Sequence, residues 1–188
     1  MRRENLEKIP EFPLPKNISV RRFQPSDEKI WREIQSLADP EQRFTDSSFA
    51  KIFGGDASIL RERQFFLLGE NQKPVGTVTA WIDDYFSDPK QGRVHWLAVI
   101  PEQQGRGLGK ILLSICLRRL RELEYRSAYL KTWPTRLAAI NLYLQFGFVP
   151  WLSGVEELQL WEQLPPNLKT NLSLNTDELL RHLRPRTL

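Results

Sequence analysis

A chain of 188 residues holds one domain and a short appendage, and 40% hydrophobic residues, with six Trp and ten Phe, supply enough apolar surface to exclude global disorder. A single cysteine, Cys116, excludes an internal disulfide framework and a multi-cysteine metal site, and is compatible with a reducing cytoplasm. The net charge of +4 comes from 27 basic and 23 acidic residues that are interspersed, without a basic tract carrying aromatics, so nucleic-acid binding is not expected and a phosphate-rich ligand suits the basic tint equally well.

Residues 1–17 are charged and carry Pro10, Pro13 and Pro15, which predicts an extended arm. Alternation over Ile18–Phe23 predicts a strand, and Pro25, Ser26 and Asp27 open a helix with Ile30, Trp31, Ile34 and Leu37 on one face, closed at Asp39-Pro40. A second, shorter helix is expected from Asp46 to Phe53, before Gly54-Gly55. Two β-rich runs, Gln64–Gly69 and Val75–Ile82, flank a polar turn and predict a hairpin, with a loop from Asp83 to Gly92. Val94–Ile100 is a nearly unbroken apolar run, as in a strand covered on both faces. A glycine-rich loop follows Pro101, then a long helix with Leu108, Leu112, Ile115, Cys116, Leu120 and Leu123 as its apolar stripe. Ala128–Thr132 predicts a strand, Thr135–Phe146 a helix ended by Gly147, and Phe148–Trp151 a last short strand. From Ser153 the pattern supports a helix (Val155, Leu158, Trp161, Leu164) or a strand (Leu158, Leu160), and Asn175–Leu183 could add a short helix. The whole reads as a mixed α/β sandwich around one sheet: an arm at 1–17, a domain at 18–152 and a partly helical C-terminal appendage at 153–188.

The loop carries the chemistry. Gly105, Gly107 and Gly109 lie directly after a strand and directly before an amphipathic helix, an arrangement that presents bare N–H groups at the positive end of a helix dipole. Glycine lets a phosphate approach the main chain, and Arg106 and Lys110 add charge beside it. A Walker A loop is excluded because Gln104 stands where its first Gly belongs and Ile111 where Ser or Thr belongs. A dinucleotide fingerprint is excluded because Lys110 stands at the third Gly position.

Gln104-Gly105-Arg106-Gly107-Leu108-Gly109, led in by Leu97–Gln103, resembles motif A (Q/R-x-x-G-x-G/A) of the GNAT acetyltransferases. Ala139-Ile140-Asn141-Leu142-Tyr143 followed by Phe146-Gly147-Phe148 resembles the same family's motif B, and the resemblance covers roughly residues 18–151. It implies the GNAT-type acyl-CoA N-acyltransferase fold: a central, mixed, mostly antiparallel sheet with helices on both faces. It also implies acetyl-CoA as cofactor, its pantetheine arm on the backbone of Leu97, Ala98 and Val99 and its pyrophosphate on the N–H groups from Gln104 through Gly105, Arg106, Gly107, Leu108 and Gly109 to Lys110. Acetyl transfer would be direct, with no covalent enzyme intermediate, and Cys116 on the apolar stripe reads as core. The chain departs from the pattern at Arg136, where many relatives carry Asn.

The resemblance makes Tyr143 the general acid, since a phenol near pKa 10 keeps its proton at neutral pH. His95, two residues before Leu97, would relay the amine's proton, or else be a structural histidine. The expected acceptor is a small-molecule primary amine, the alternatives being a protein N-terminus or lysine, or a CoA-binding module without turnover. Carboxylates beside aromatics in Trp81–Asp88 could hold a cationic amine or form a solvated turn, and Trp133 and Trp151 could line a pocket or fill the core. His182 needs no function. No metal, no nucleic acid and no membrane contact are expected, a cytoplasmic location is expected, and homodimer formation is left open.

Overall fold

In the computed structural model, which describes residues 1–82, 90–152, 154–166 and 168, six strands form one sheet. They are β1 (Arg2–Arg3), β2 (Ser19–Arg22), β3 (Gln64–Leu68), β4 (Pro74–Trp81), β5 (Gln91–Val99) and β6 (Ser127–Tyr129), in the spatial order β1-β6-β5-β4-β3-β2. Every pair is antiparallel except β5 with β6, which are joined by a helical crossover. The helices are α1 (Asp27–Ala38), α2 (Ser48–Phe53), α3 (Ala57–Arg63), α4 (Leu108–Glu122), α5 (Leu137–Gln145) and α6 (Val155–Glu162). The fold class is the one expected, a mixed, mostly antiparallel sheet flanked by helices.

Local chemistry sets the elements that frame the site. Helix α1 begins at Asp27, whose buried carboxylate accepts from the Gln24 amide at 2.6 Å and from two nitrogens of Arg21 at 2.5 and 2.9 Å. An anion there meets the positive end of the helix. The helix then presents Trp31, Ile34 and Gln35, all buried, to the sheet. Strands β3 and β4 are buried at nearly every position, so both of their faces are covered. Helix α4 packs directly on β4 and β5, where glycine spares the space. A Cβ at Gly76 would stand 3.1 Å from Leu112 Cδ1, and one at Gly92 would stand 2.5 Å from Leu120 Cδ2. Helix α5 ends as expected, with Gly147 in the left-handed region at φ 74°.

Three details differ from the sequence reading. Helix α3 was not predicted; Asp56 starts it by accepting from the Ser58 amide at 2.8 Å. Phe148–Trp151 forms no ladder, and Val149 makes only a single antiparallel bridge with Arg2. β6 stops at Tyr129 rather than Thr132, because β5 no longer pairs with it beyond that point. Of the two alternatives left open for the tail, the helix is the one formed, as α6. The first residues of the chain reach the sheet: Arg2 and Arg3 pair with Tyr129 and Ala128, placing β1 between β6 and Val149. The acidic and aromatic part of the Trp81–Asp88 loop, the helix expected at Asn175–Leu183, and His182 lie outside the described residues.

Candidate functional site

Two irregularities in β5 create the site. Thr77 opposes Ala98 and Thr79 opposes His95, so Val78 alone faces both Trp96 and Leu97. This is a β-bulge, and Trp96 adopts φ 51°, a left-handed conformation that costs a bulky residue on the order of 1 kcal/mol. The second irregularity is on the other edge. Pairing of β5 with β6 stops at Arg93 and Tyr129, so the sheet splits along the stretch that contains Leu97, Ala98 and Val99. Gln35 of α1 donates to the Trp96 carbonyl at 2.9 Å.

Beyond β5 the chain forms the loop that leads into α4. Gln104 donates its side-chain amide to the Val99 carbonyl at 2.9 Å, which folds the loop back on the strand end. Gly105 and Gly107 have φ of 75° and 78°, and a Cβ at either would meet nothing within 4 Å, so the main chain there faces open space. The Gln104 amide bonds to the Pro101 carbonyl and the Lys110 amide to the Gly107 carbonyl. Among the described residues, the amides of Gly105, Arg106, Gly107, Leu108 and Gly109 make no backbone hydrogen bond. The run of amides without a backbone partner is therefore 105–109, whereas the amides of Gln104 and Lys110, also expected to hold the pyrophosphate, are engaged by Pro101 and Gly107. Arg106 reaches back to Gln103, and the Lys110 ammonium sits 5.8 Å from the Phe12 ring centroid. Leu108 is core, and Gly109 lets α4 approach Leu142 of α5.

A cleft of about 670 Å³ opens where the strands part, with His95, Trp96, Leu130, Trp133, Arg136 and Ile140 in its wall. Helix α6 closes another side with Leu160 and Trp161, and Trp151 also lines it, so the tail builds part of the cleft. Trp133 is 67% exposed, a cleft-rim residue rather than core. His95 is boxed by Phe53, Trp81 and Trp96, with ring centroids 5.6, 6.5 and 5.6 Å away. Burial first, and then the charges of Arg93 and Lys131, push its pKa down to about 2, so the imidazole is neutral.

Tyr143 lies one turn beyond Ile140 on α5, buried and not among the residues lining the cleft, edge-on to Phe148 at 6.0 Å. Burial pushes its hydroxyl up to about 12, and the nearby positive charge of Arg136 works against that rise. Arg136 is the N-cap residue of α5, and its guanidinium pairs with Asp39 at the C-cap of α1. Each charge sits at the wrong end of its own helix dipole, so the pair offsets a cost that either would carry alone. Cys116 is fully enclosed, its thiol pKa raised by burial, and it points to the Thr79 carbonyl at 3.6 Å; it is core. Sequence reasoning missed Gln35, the bulge at Trp96, and the wall of α6. Only the last left a signal, in the spacing of Leu158, Trp161 and Leu164.

Residues 28–148 match the profile of the Acetyltransferase (GNAT) family. A mycothiol acetyltransferase from Acidothermus cellulolyticus is 30% identical over 173 residues, covering 82% of this chain and 52% of the relative. The chain thus spans about half the length of the curated relatives it matches. Among solved structures, the ribosomal-protein-S18-alanine N-acetyltransferase from Escherichia coli superposes with a TM-score of 0.56 at 22% identity, over 70% of this chain and 77% of that one. AAC(6')-Iy, in complex with the bisubstrate analogue CoA-S-monomethyl-acetylneamine, gives a TM-score of 0.55 at 18% identity, over 71% and 91%.

Proposed function

The chain belongs to the GNAT acetyltransferase family, and from that premise we propose that it moves the acetyl group of acetyl-CoA to a primary amine of a small molecule, directly and without an acyl-enzyme. The observation that carries this reading is the split edge of β5 running into five open amides at the start of α4. A split strand edge takes an amide-bearing arm as a neighbouring strand would, and open amides at a helix N-terminus take a diphosphate. The residues present therefore fit coenzyme A: Leu97, Ala98 and Val99 for the pantetheine, and Gly105, Arg106, Gly107, Leu108 and Gly109, with the Lys110 ammonium, for the phosphates, while Gln104 holds the loop against Val99.

Acetyl-CoA supplies the activated acetyl thioester; the chain supplies position, dipoles and protons. A β5 amide beside the bulge donates to the thioester oxygen as negative charge grows there. Tyr143 keeps its proton at neutral pH and donates it towards the departing sulfur, with Arg136 easing that donation. His95, neutral throughout, orients the amine and passes its proton to water rather than storing it. Burial first, and then the cations Arg93 and Lys131, hold His95 neutral, and those cations also favour an uncharged amine in the cleft.

A bounded cleft of about 670 Å³, walled by α6 and rimmed by Trp133, suits a small acceptor, and its size is typical of small-molecule sites. The relatives' name, mycothiol acetyltransferase, points the same way. Thiol-release kinetics with acetyl-CoA and a panel of amines test the reading, with Tyr143→Phe as the diagnostic variant. We expect kcat to fall roughly 10²-fold while coenzyme affinity stays within about twofold. No thiol release with any amine, or an unchanged kcat in the variant, counts against it.

A further inference from the structure

Gln35 is a polar residue in an apolar place. It lies 4% exposed on the face of α1 that also carries Trp31 and Ile34, where an unbonded amide is unfavourable and a leucine would fill the space without a polar atom. Its side-chain amide donates to the carbonyl of Trp96, 61 residues away in sequence and in the left-handed conformation at the bulge. One turn earlier on the same helix face, Trp31 meets the Trp96 ring edge-on at 5.4 Å. Helix α1 thus grips a single residue twice, once by its ring and once by its main chain. A bulge takes a carbonyl out of the strand ladder, and a strained residue stays strained only where its surroundings hold it.

We propose that Gln35 is a positioning residue for the coenzyme: by holding the Trp96 carbonyl it keeps the bulge in register, so that the Leu97–Val99 edge faces the split between β5 and β6. The proposal rests on the acetyl-CoA reading above. Gln35 touches no reacting atom; it acts through Trp96. Without the bond, the bulge is free to shift by a residue, and a one-residue slip turns the edge groups of the strand elsewhere.

The test is calorimetric titration of coenzyme A into the full chain and two variants. Gln35→Met keeps the length and removes the donor, and about tenfold weaker binding is expected, with KM for acetyl-CoA rising in step and KM for the amine little changed. Gln35→Glu can donate only when its carboxyl is protonated, so its affinity relative to wild type should fall as pH rises through that carboxyl's pKa. Wild-type heat together with unchanged heat for Gln35→Met overturns this proposal and leaves the coenzyme reading standing. No heat from wild type overturns both. Should Gln35→Met fail to fold, the Gln35→Glu titration decides alone: a pH-independent ratio to wild type overturns the role.

Discussion

His95 shows how far an environment can move a side chain from its ordinary behaviour. Its ring lies among Phe53, Trp81 and Trp96 with Arg93 and Lys131 nearby, and its pKa is pushed down to about 2. An unfolded chain takes up a proton on this imidazole near pH 6.5, whereas the folded chain does so only near pH 2. The stability that follows is fully present above pH 6.5 and is lost progressively as the pH falls towards 2. Urea midpoints at pH 7.5 and pH 5 should therefore differ more for the natural chain than for His95→Phe, which keeps an aromatic ring in the box. Equal differences would show that another group governs the acid limb. Sequence alone singled out His95 through its place two residues before Leu97. It could not reveal the aromatic box, because Phe53 and Trp81 come from distant segments.

At the scale of elements, the two-residue strand β1 does more than its length suggests. Arg3 is 8% exposed, and its guanidinium donates to the carbonyls of Asn5, Phe146 and Lys8 at 2.7, 2.5 and 2.5 Å. The following arm lies along α4. Ser114 donates to the Pro10 carbonyl at 2.6 Å, Arg118 pairs with Glu11 and Arg121 donates to the Glu7 carbonyl. Arg3→Met leaves three carbonyls without their donor and should lower folding stability by about 2–4 kcal/mol. Guanidinium denaturation measures this; a loss below about 0.5 kcal/mol would mean that water replaces the arginine freely. Nothing in the sequence announces β1, since two residues are too few for periodicity and the neighbouring prolines signal an arm. The longer elements were legible because their apolar spacing repeats: α1 through Trp31 and Ile34, α4 through Leu108, Leu112 and Leu120. The bulge was not legible, since Val94–Ile100 reads as an uninterrupted strand and only pairing with β4 exposes the extra residue.

At the scale of the molecule, the sheet is whole at the Arg93 end of β5 and split at the Val99 end. On the proposed reading, coenzyme A would fill the split and tie α5 and β6 to the rest of the sheet at that end, which would link binding to folding. At a coenzyme concentration about 100 times Kd, the linkage amounts to about 2.7 kcal/mol, or an upward shift of roughly 5–10 °C in the melting midpoint. Scanning calorimetry with coenzyme A and, separately, with inorganic phosphate checks this; a shift matched by phosphate alone would confine binding to the amide loop. The order of the longer elements and the family were legible from local motifs, whereas the cleft was not, because its walls come from β5, β6, α5 and α6 together. The placing of β1 carries one more consequence, for kinetics. Arg2 bonds with Val149 in both directions and Leu130 donates to the Met1 carbonyl, so these contacts close loops that run through most of the fold. Ring closure of that length has a large entropic barrier, which non-local pairing repays only after the intervening chain is ordered. The amides of Leu130 and Val149 should accordingly acquire exchange protection late in refolding, after those of β3 and β4, and lose it early when denaturant is added.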